Sequence, residues 1–263
     1  GAYYDVYYSD SDPNGSMTWT LVQQVLADNS MESLAVTEDD TRFYKVVIAG
    51  ASASASSSPT WGVIKPTIPT GYSMMAAPLD LTDLSLNGEY GTALAEVLTG
   101  DNGGNADMLM IRESNGSWTT IFLDGSQQWS ANYTLAEGQG YYIYRSGSPV
   151  QPRFAGPVGN NGVGSRTISA GWNIIGPSQG KTRTFAQVTS ALAGTPAGGW
   201  EESTADLIVI DEGNGNFRRI MKYNGSPSWL DLKTFAAPTV SIQPGQGIYY
   251  MKQGSSGVTA INF

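Results

Sequence analysis

Ordered blocks of this sequence recur at a nearly constant spacing, and no other feature limits the fold so strongly. Thr67-Ile68-Pro69-Thr70-Gly71-Tyr72-Ser73-Met74-Met75-Ala76 is answered one hundred residues later by Thr167-Ile168-Ser169-Ala170-Gly171-Trp172-Asn173-Ile174-Ile175-Gly176. Ala106-Asp107-Met108-Leu109-Met110-Ile111 is answered by Ala205-Asp206-Leu207-Ile208-Val209-Ile210, and Asn115-Gly116 by Asn214-Gly215. Gly125-Ser126 with Trp129 returns as Gly225-Ser226 with Trp229. Glu137-Gly138-Gln139-Gly140-Tyr141-Tyr142 returns as Pro244-Gly245-Gln246-Gly247-Ile248-Tyr249. Chance matches between low-complexity segments would not keep this order, so one fold unit written twice is expected, over 63–156 and 157–263.

Within each copy the pattern reads strand, short helix, strand, Asn-Gly hairpin, strand, Gly/Ser turn, strand. Asn-Gly between extended runs is a strong hairpin signal. The helices are expected over 92–98, closed by Gly100, and over 185–192, closed by Gly194. The expected fold is mainly β: two tandem small β-sheet or barrel-like domains, each with one short helix, behind an N-terminal partial β-sandwich-like region. That region spans 1–50 and offers about four strands, whereas a complete sandwich needs about seven in ~100 residues. The Ala/Ser-rich stretch over 51–62 has no core-forming run and reads as a linker.

Composition narrows the chemistry. There is no cysteine and no histidine. Disulfides, thiolate metal sites and every mechanism that needs an imidazole base are excluded. Acids outnumber bases 23 to 14, for a net charge of −9, which disfavours nucleic acid and anionic membranes as partners. No run approaches the ~20 apolar residues of a membrane-spanning helix. Charged residues make up 14% of the chain against a typical ~25%, a balance common in extracellular β-proteins.

Few motifs carry chemistry. Asp10, Asp12 and Asn14, followed by Gly15, match the opening of a calcium loop, but Leu21 stands where the closing Glu belongs, and a polar hairpin turn is the favoured reading. Asp101, Asn105 and Asp107 form a second oxygen-rich loop that could take calcium or simply be solvated. No other cofactor is expected. Carboxylates at Asp107 and Glu113, Glu201 and Glu202, and Asp211 and Glu212 lack the facing geometry of a glycosidase pair, so the chain is read as not an enzyme. Trp118, Trp129, Trp200 and Trp229 could stack on sugars, although Trp129 and Trp229 recur at matched positions and are better read as core. The sequons at Asn14, Asn115, Asn132 and Asn224 would mark exposed loops if glycosylated. The Gly-rich stretch 156–162 lacks the Lys-Ser/Thr of a phosphate loop and reads as a connector.

Two resemblances point the same way. The blocks Gly171 to Pro177 and Ile242 to Tyr249 resemble repeats of bacterial secreted proteins, with Tyr72 and Glu137 departing from the pattern in the first copy. Tyr4-Asp5-Val6-Tyr7-Tyr8-Ser9, Ser16-Met17-Thr18-Trp19 and Arg42-Phe43-Tyr44-Lys45-Val46 resemble the late strands of a fibronectin-III-like module. These resemblances imply export and surface display, and carry no catalytic residues.

The leading expectation is therefore a structural subunit of an extracellular filament, appendage or surface layer. Such a homopolymer would assemble by strand donation between copies. The expected donors are Tyr3, Tyr4, Val6, Tyr7 and Tyr8 at one end and Val258, Ala260, Ile261 and Phe263 at the other. The alternative is a carbohydrate-binding or adhesive module facing surface glycans. A carboxylate-dependent hydrolase ranks last.

Overall fold

Runs of β-branched and aromatic residues, punctuated by Gly, Asn and Ser, fold into antiparallel sheets throughout this chain. The computed structural model describes residues 2–9, 18–27, 42–48, 61–79, 81, 83–136, 138–157, 165–176, 180, 182–213, 215–254 and 259–262. The N-terminal strands are β1 (Ala2–Ser9), β2 (Thr20–Ala27) and β3 (Arg42–Ile48). The first half holds β4 (Trp61–Ile64), β5 (Gly71–Ala76), α1 (Glu89–Ala95), β6 (Met108–Arg112), β7 (Trp118–Phe122), β8 (Gly140–Arg145) and β9 (Phe154–Pro157). The second half holds β10 (Ser165–Ile168), β11 (Gly171–Ile175), β12 (Arg183–Thr184), α2 (Phe185–Ser190), β13 (Leu192–Ala193), β14 (Leu207–Gly213), β15 (Asn216–Lys222), β16 (Trp229–Asp231), β17 (Ser241–Ile242), β18 (Ile248–Lys252) and β19 (Thr259–Asn262). No helix among the described residues is long and apolar enough to cross a membrane.

The two halves run the same strand order. The first sheet is β5-β8-β6-β7, and the second is β11-β18-β14-β15 with β16 added at its edge. Alternation buries one face of the first sheet, while in the second Leu207, Val209 and Met221 form a further buried cluster on the other face. In the first half Leu109, Ile111, Ile121 and Ile143 pack with Tyr90 and Leu94 of α1. In the second, Ile208, Ile210, Ile220 and Tyr250 pack with Phe185 and Val188 of α2. The sheets are open, each with its helix on one face rather than closing a barrel end.

Packing shifted both helices from their expected places. α1 starts at Glu89 because Tyr90 is fully buried and the backbone at Gly91 lies against Leu86, where a Cβ would fall 1.9 Å from the carbonyl oxygen. α2 opens on a capping box: Gln187 N donates to Thr184 Oγ1 (3.3 Å) and Thr184 N to Gln187 Oε1 (2.8 Å). It ends at Ser190 because Leu192 and Ala193 leave the helix to pair with β19.

The N-terminal region is not the isolated half-sandwich that its strand count suggested. Its sheet runs β2-β1-β3-β4-β9, so the first half supplies the fourth and fifth strands. Trp61 and Gly62, expected in the linker, are strand residues; 51–60 lie outside the described residues. Tyr4, Val6, Tyr7 and Tyr8 of β1 are paired on both sides by β2 and β3, and Tyr3 pairs with Leu26 of β2. Ala260 and Ile261 sit in β19, paired on both sides by β10 and β13. Neither strand offers the open edge that donation requires, because both already fill their ladders within the chain; Val258 and Phe263 lie outside the described residues.

The halves join through the Gly-Gln-Gly turns. Gln246 bridges to Met75, and at the corresponding place Gln139 bridges to Ile175. Ala76 N donates to Gly245 O (2.9 Å), and Gly176 N to Gly138 O (3.2 Å). Each glutamine holds its own turn by accepting from a backbone N–H three residues back, Ala136 at 2.9 Å and Gln243 at 3.0 Å. The glycine after it has no room for a side chain. A Cβ at Gly247 would stand 2.7 Å from Met75 O, and one at Gly140 2.5 Å from Ile174 Cγ2.

Gly247→Ala should therefore separate the halves locally and lower the unfolding free energy by about 1–3 kcal/mol, read by urea denaturation. Gly254→Ala, at a position with no neighbour inside 4 Å, should cost only the backbone strain of its φ of +72° and leave the junction intact.

Candidate functional site

Asp107 and Asp206, the last residues before β6 and β14, are both fully buried and hold each half's sheet together. Asp107 forms an ion pair with Arg145 and also accepts from Thr99 N (2.7 Å), Ser146 N (2.7 Å) and Ser146 Oγ (2.8 Å). Asp206 accepts from Tyr250 Oη (2.6 Å) and Gln253 N (2.7 Å), with Lys252 Nζ 4.0 Å away. Arg145 and Lys252 occupy matching positions, opposite Gly71 and Gly171.

This corrects the expected calcium role of Asp107: its carboxylate already has an arginine and three further donors. Asp101 accepts from Gly103 N and Asn105 N, both at 3.0 Å, and these bonds hold its carboxyl below the usual range. It shapes a turn in which Asn105 contributes its backbone. Asp10, Asp12 and Asn14 lie outside the described residues. Among the described residues no three acidic side chains converge as a metal site. Three of the other carboxylate candidates are likewise engaged. Glu113 accepts from Thr119 and Tyr133, Glu202 from Arg219, and Glu212 pairs with Lys233 and Arg218.

The tryptophans divide as their repetition suggested. Trp229 is buried edge-on to Phe185 at 5.7 Å, and Trp129 packs on the first core while its Nε1 donates to Gly91 O at 3.0 Å. Trp118 is 39% exposed, and Trp200 is 69% exposed with its ring edge-on to Tyr223.

Trp118 belongs to a larger arrangement that the sequence reading missed. Tyr142 and Tyr144 alternate with buried Tyr141 and Ile143 along β8, so they share the outer face of the first sheet. Tyr72, 58% exposed, packs on Tyr144 at 4.8 Å and Tyr142 at 6.5 Å. Tyr142 continues to Trp118 at 6.0 Å and, across the junction, to Tyr249 at 5.5 Å. Tyr249 meets Trp172, 38% exposed, at 5.2 Å. Arg112 ties the band: its guanidinium lies 5.4 Å over Trp118, and its Nε donates to Trp172 O at 2.9 Å. Six rings thus run from one half to the other with three of them well exposed. The alternation in Tyr141-Tyr142-Ile143-Tyr144 was a visible signal for one side. The contact of Tyr142 with Tyr249 was not, because it depends on how the halves dock.

Burial first, then its bond to the Tyr249 hydroxyl and the charge of Asp211, raises the Tyr142 phenol above its ordinary value of 10.0. Burial also raises Tyr249, partly offset by Tyr142 and the positive charge of Arg112. At neutral pH Tyr142 and Tyr249 therefore present neutral, hydroxyl-tipped rings at the centre of the band. Such surfaces match the faces of pyranose rings, which are apolar in the middle and polar at the edge.

Comparison with known protein families, with curated proteins and with solved structures finds no match for this chain.

Because both phenols are raised in the folded state, their contribution to stability is complete below about pH 10 and is lost as pH rises from there through the folded-state values. The urea midpoint should fall from about pH 10 upward, and Tyr142→Phe should make that fall shallower, with tyrosinate absorbance followed in parallel.

Proposed function

We propose that this chain is a non-catalytic, exported surface module that holds polysaccharide along the aromatic band. The observation that carries the reading is the continuous path Tyr144–Tyr72–Tyr142–Tyr249–Trp172, with Trp118 beside it. A row of rings with hydroxyl tips gives a sugar chain stacking area and hydrogen-bonding partners together. The shared strand order of the halves supports the view that one unit is written twice, and docking the two copies makes a longer platform than either sheet alone. The low charged fraction and the resemblance to secreted repeats support an extracellular location.

A glycan array on the intact chain should identify binding polysaccharides, with tryptophan fluorescence following the titration. Tyr72→Ala or Trp172→Ala should each weaken binding by roughly threefold to tenfold, as expected for one stacked ring worth about 0.5–1.5 kcal/mol. Silence across all glycans, or unchanged affinity in both variants, removes this reading.

A second reading, a subunit of a homopolymeric extracellular assembly, is favoured by one observation. Among the described residues β2 pairs only with β1, and its sequence Thr-Leu-Val-Gln-Gln-Val-Leu-Ala has no charge or proline to guard the other edge. Leu21 and Val22, on opposite faces of that strand, are both exposed. If copies join there, sedimentation should show concentration-dependent oligomers that Val22→Lys disperses. A wild-type chain that stays monomeric at every concentration rules it out.

A further inference from the structure

At the Trp172 end of the band lies a cavity of about 260 Å³ between the hairpin at Glu113–Gly116 and the segment Thr167–Asn173. We infer that this cavity receives an oxyanion, a carboxylate or sulfate ester, carried by an acidic polysaccharide lying on the rings; this rests on the polysaccharide reading above.

Arg112 is the reason. Its Nε is held by Trp172 O, and its guanidinium is braced over Trp118. Among the described residues no acceptor meets its two Nη nitrogens. They lie at the hairpin tip, where a Cβ on Gly116 would stand 3.5 Å from Nη2. A fixed guanidinium with two free nitrogens presents a fork that can meet two oxygens of one oxyanion. The hydroxyl-bearing residues Ser114, Thr167 and Ser169 line the same cavity, and Trp172 lines it too, which joins it to the band.

The acidic neighbour does not cancel this. Glu113 follows Arg112 and also lines the cavity, but its carboxylate is engaged by Thr119 Oγ1 (2.8 Å) and Tyr133 Oη (3.2 Å). The contrast between the halves is sharper still. The matching cavity on the other side of the junction, about 480 Å³, has Asp211 at the position of Arg112 and Glu212 at that of Glu113. The arginine at this position is thus peculiar to the first half; the second cavity carries Asp211 there, with Lys65 as its one lining cation among the described residues. The net charge of −9 opposes polyanions at long range, so the attraction for an acidic chain is local to Arg112.

The test titrates the intact chain with polygalacturonate, dextran sulfate and neutral dextran at low and high salt. At least one acidic polymer should bind about tenfold tighter than dextran at low salt, with that advantage shrinking as salt rises. Arg112→Gln should abolish the ratio of acidic to neutral affinity, and Arg112→Lys should keep only part of it, since lysine carries the charge without the fork. Polygalacturonate against dextran sulfate separates carboxylate from sulfate. Equal affinity for acidic and neutral chains, or a ratio unchanged in Arg112→Gln, overturns the inference and leaves the polysaccharide reading standing. Binding of none of the three, together with a silent glycan array, overturns both. Should Arg112→Gln fail to fold, the salt dependence of the wild-type ratio decides, since a ratio indifferent to salt is incompatible with a charge-made preference.

Discussion

Everything on the outer surface of this protein depends on the close backbone contact where each Gly-Gln-Gly turn meets the first sheet strand of the other half. Gly140 and Gly247 lie so near Ile174 and Met75 that no side chain fits between them. Gln139 and Gln246 stiffen the turns from within. The contact is reciprocal, so neither half can shift without disturbing two sets of backbone hydrogen bonds. It brings Tyr142 and Tyr249 together, and their edge-to-face contact adds about 0.5–1.5 kcal/mol of its own.

Behind that junction each half is held by a buried acid–base pair at the same topological position. Asp107 with Arg145 ties the start of β6 to the end of β8, and Asp206 with Lys252 ties the start of β14 to the end of β18. Breaking such a pair from one side strands a buried charge, a larger loss than a surface ion pair would involve. The pairs brace the register that hydrophobic alternation sets, and that register determines which tyrosines of β8 and β18 face outward.

Much of the fold was legible because it follows from local chemistry. The repeat spacing, the Asn-Gly hairpin at Asn115-Gly116 with Gly116 at φ +86°, and the core role of Trp129 and Trp229 follow from turn propensity and repetition. The candidate site was legible only in part. Trp118 stood out as a stacking residue. Tyr72, Tyr142, Tyr249 and Trp172 did not, since each is an ordinary strand aromatic until the halves dock. Asp107 looked like a ligand because its partner Arg145 lies 38 residues away in sequence. The N-terminal strands looked unfinished because the strands that complete their sheet belong to the next unit, β9 coming from its far end.

By itself the sequence determined the mainly β class, the two-part plan and the absence of imidazole and thiol chemistry, because strand alternation, turn residues and composition act over a few neighbours. Tertiary structure alone decided which strands have open edges, which carboxylates are occupied, and that six separate aromatics form one surface. Those outcomes are set by contacts between residues tens to a hundred positions apart, whose geometry exists only once both sheets are packed.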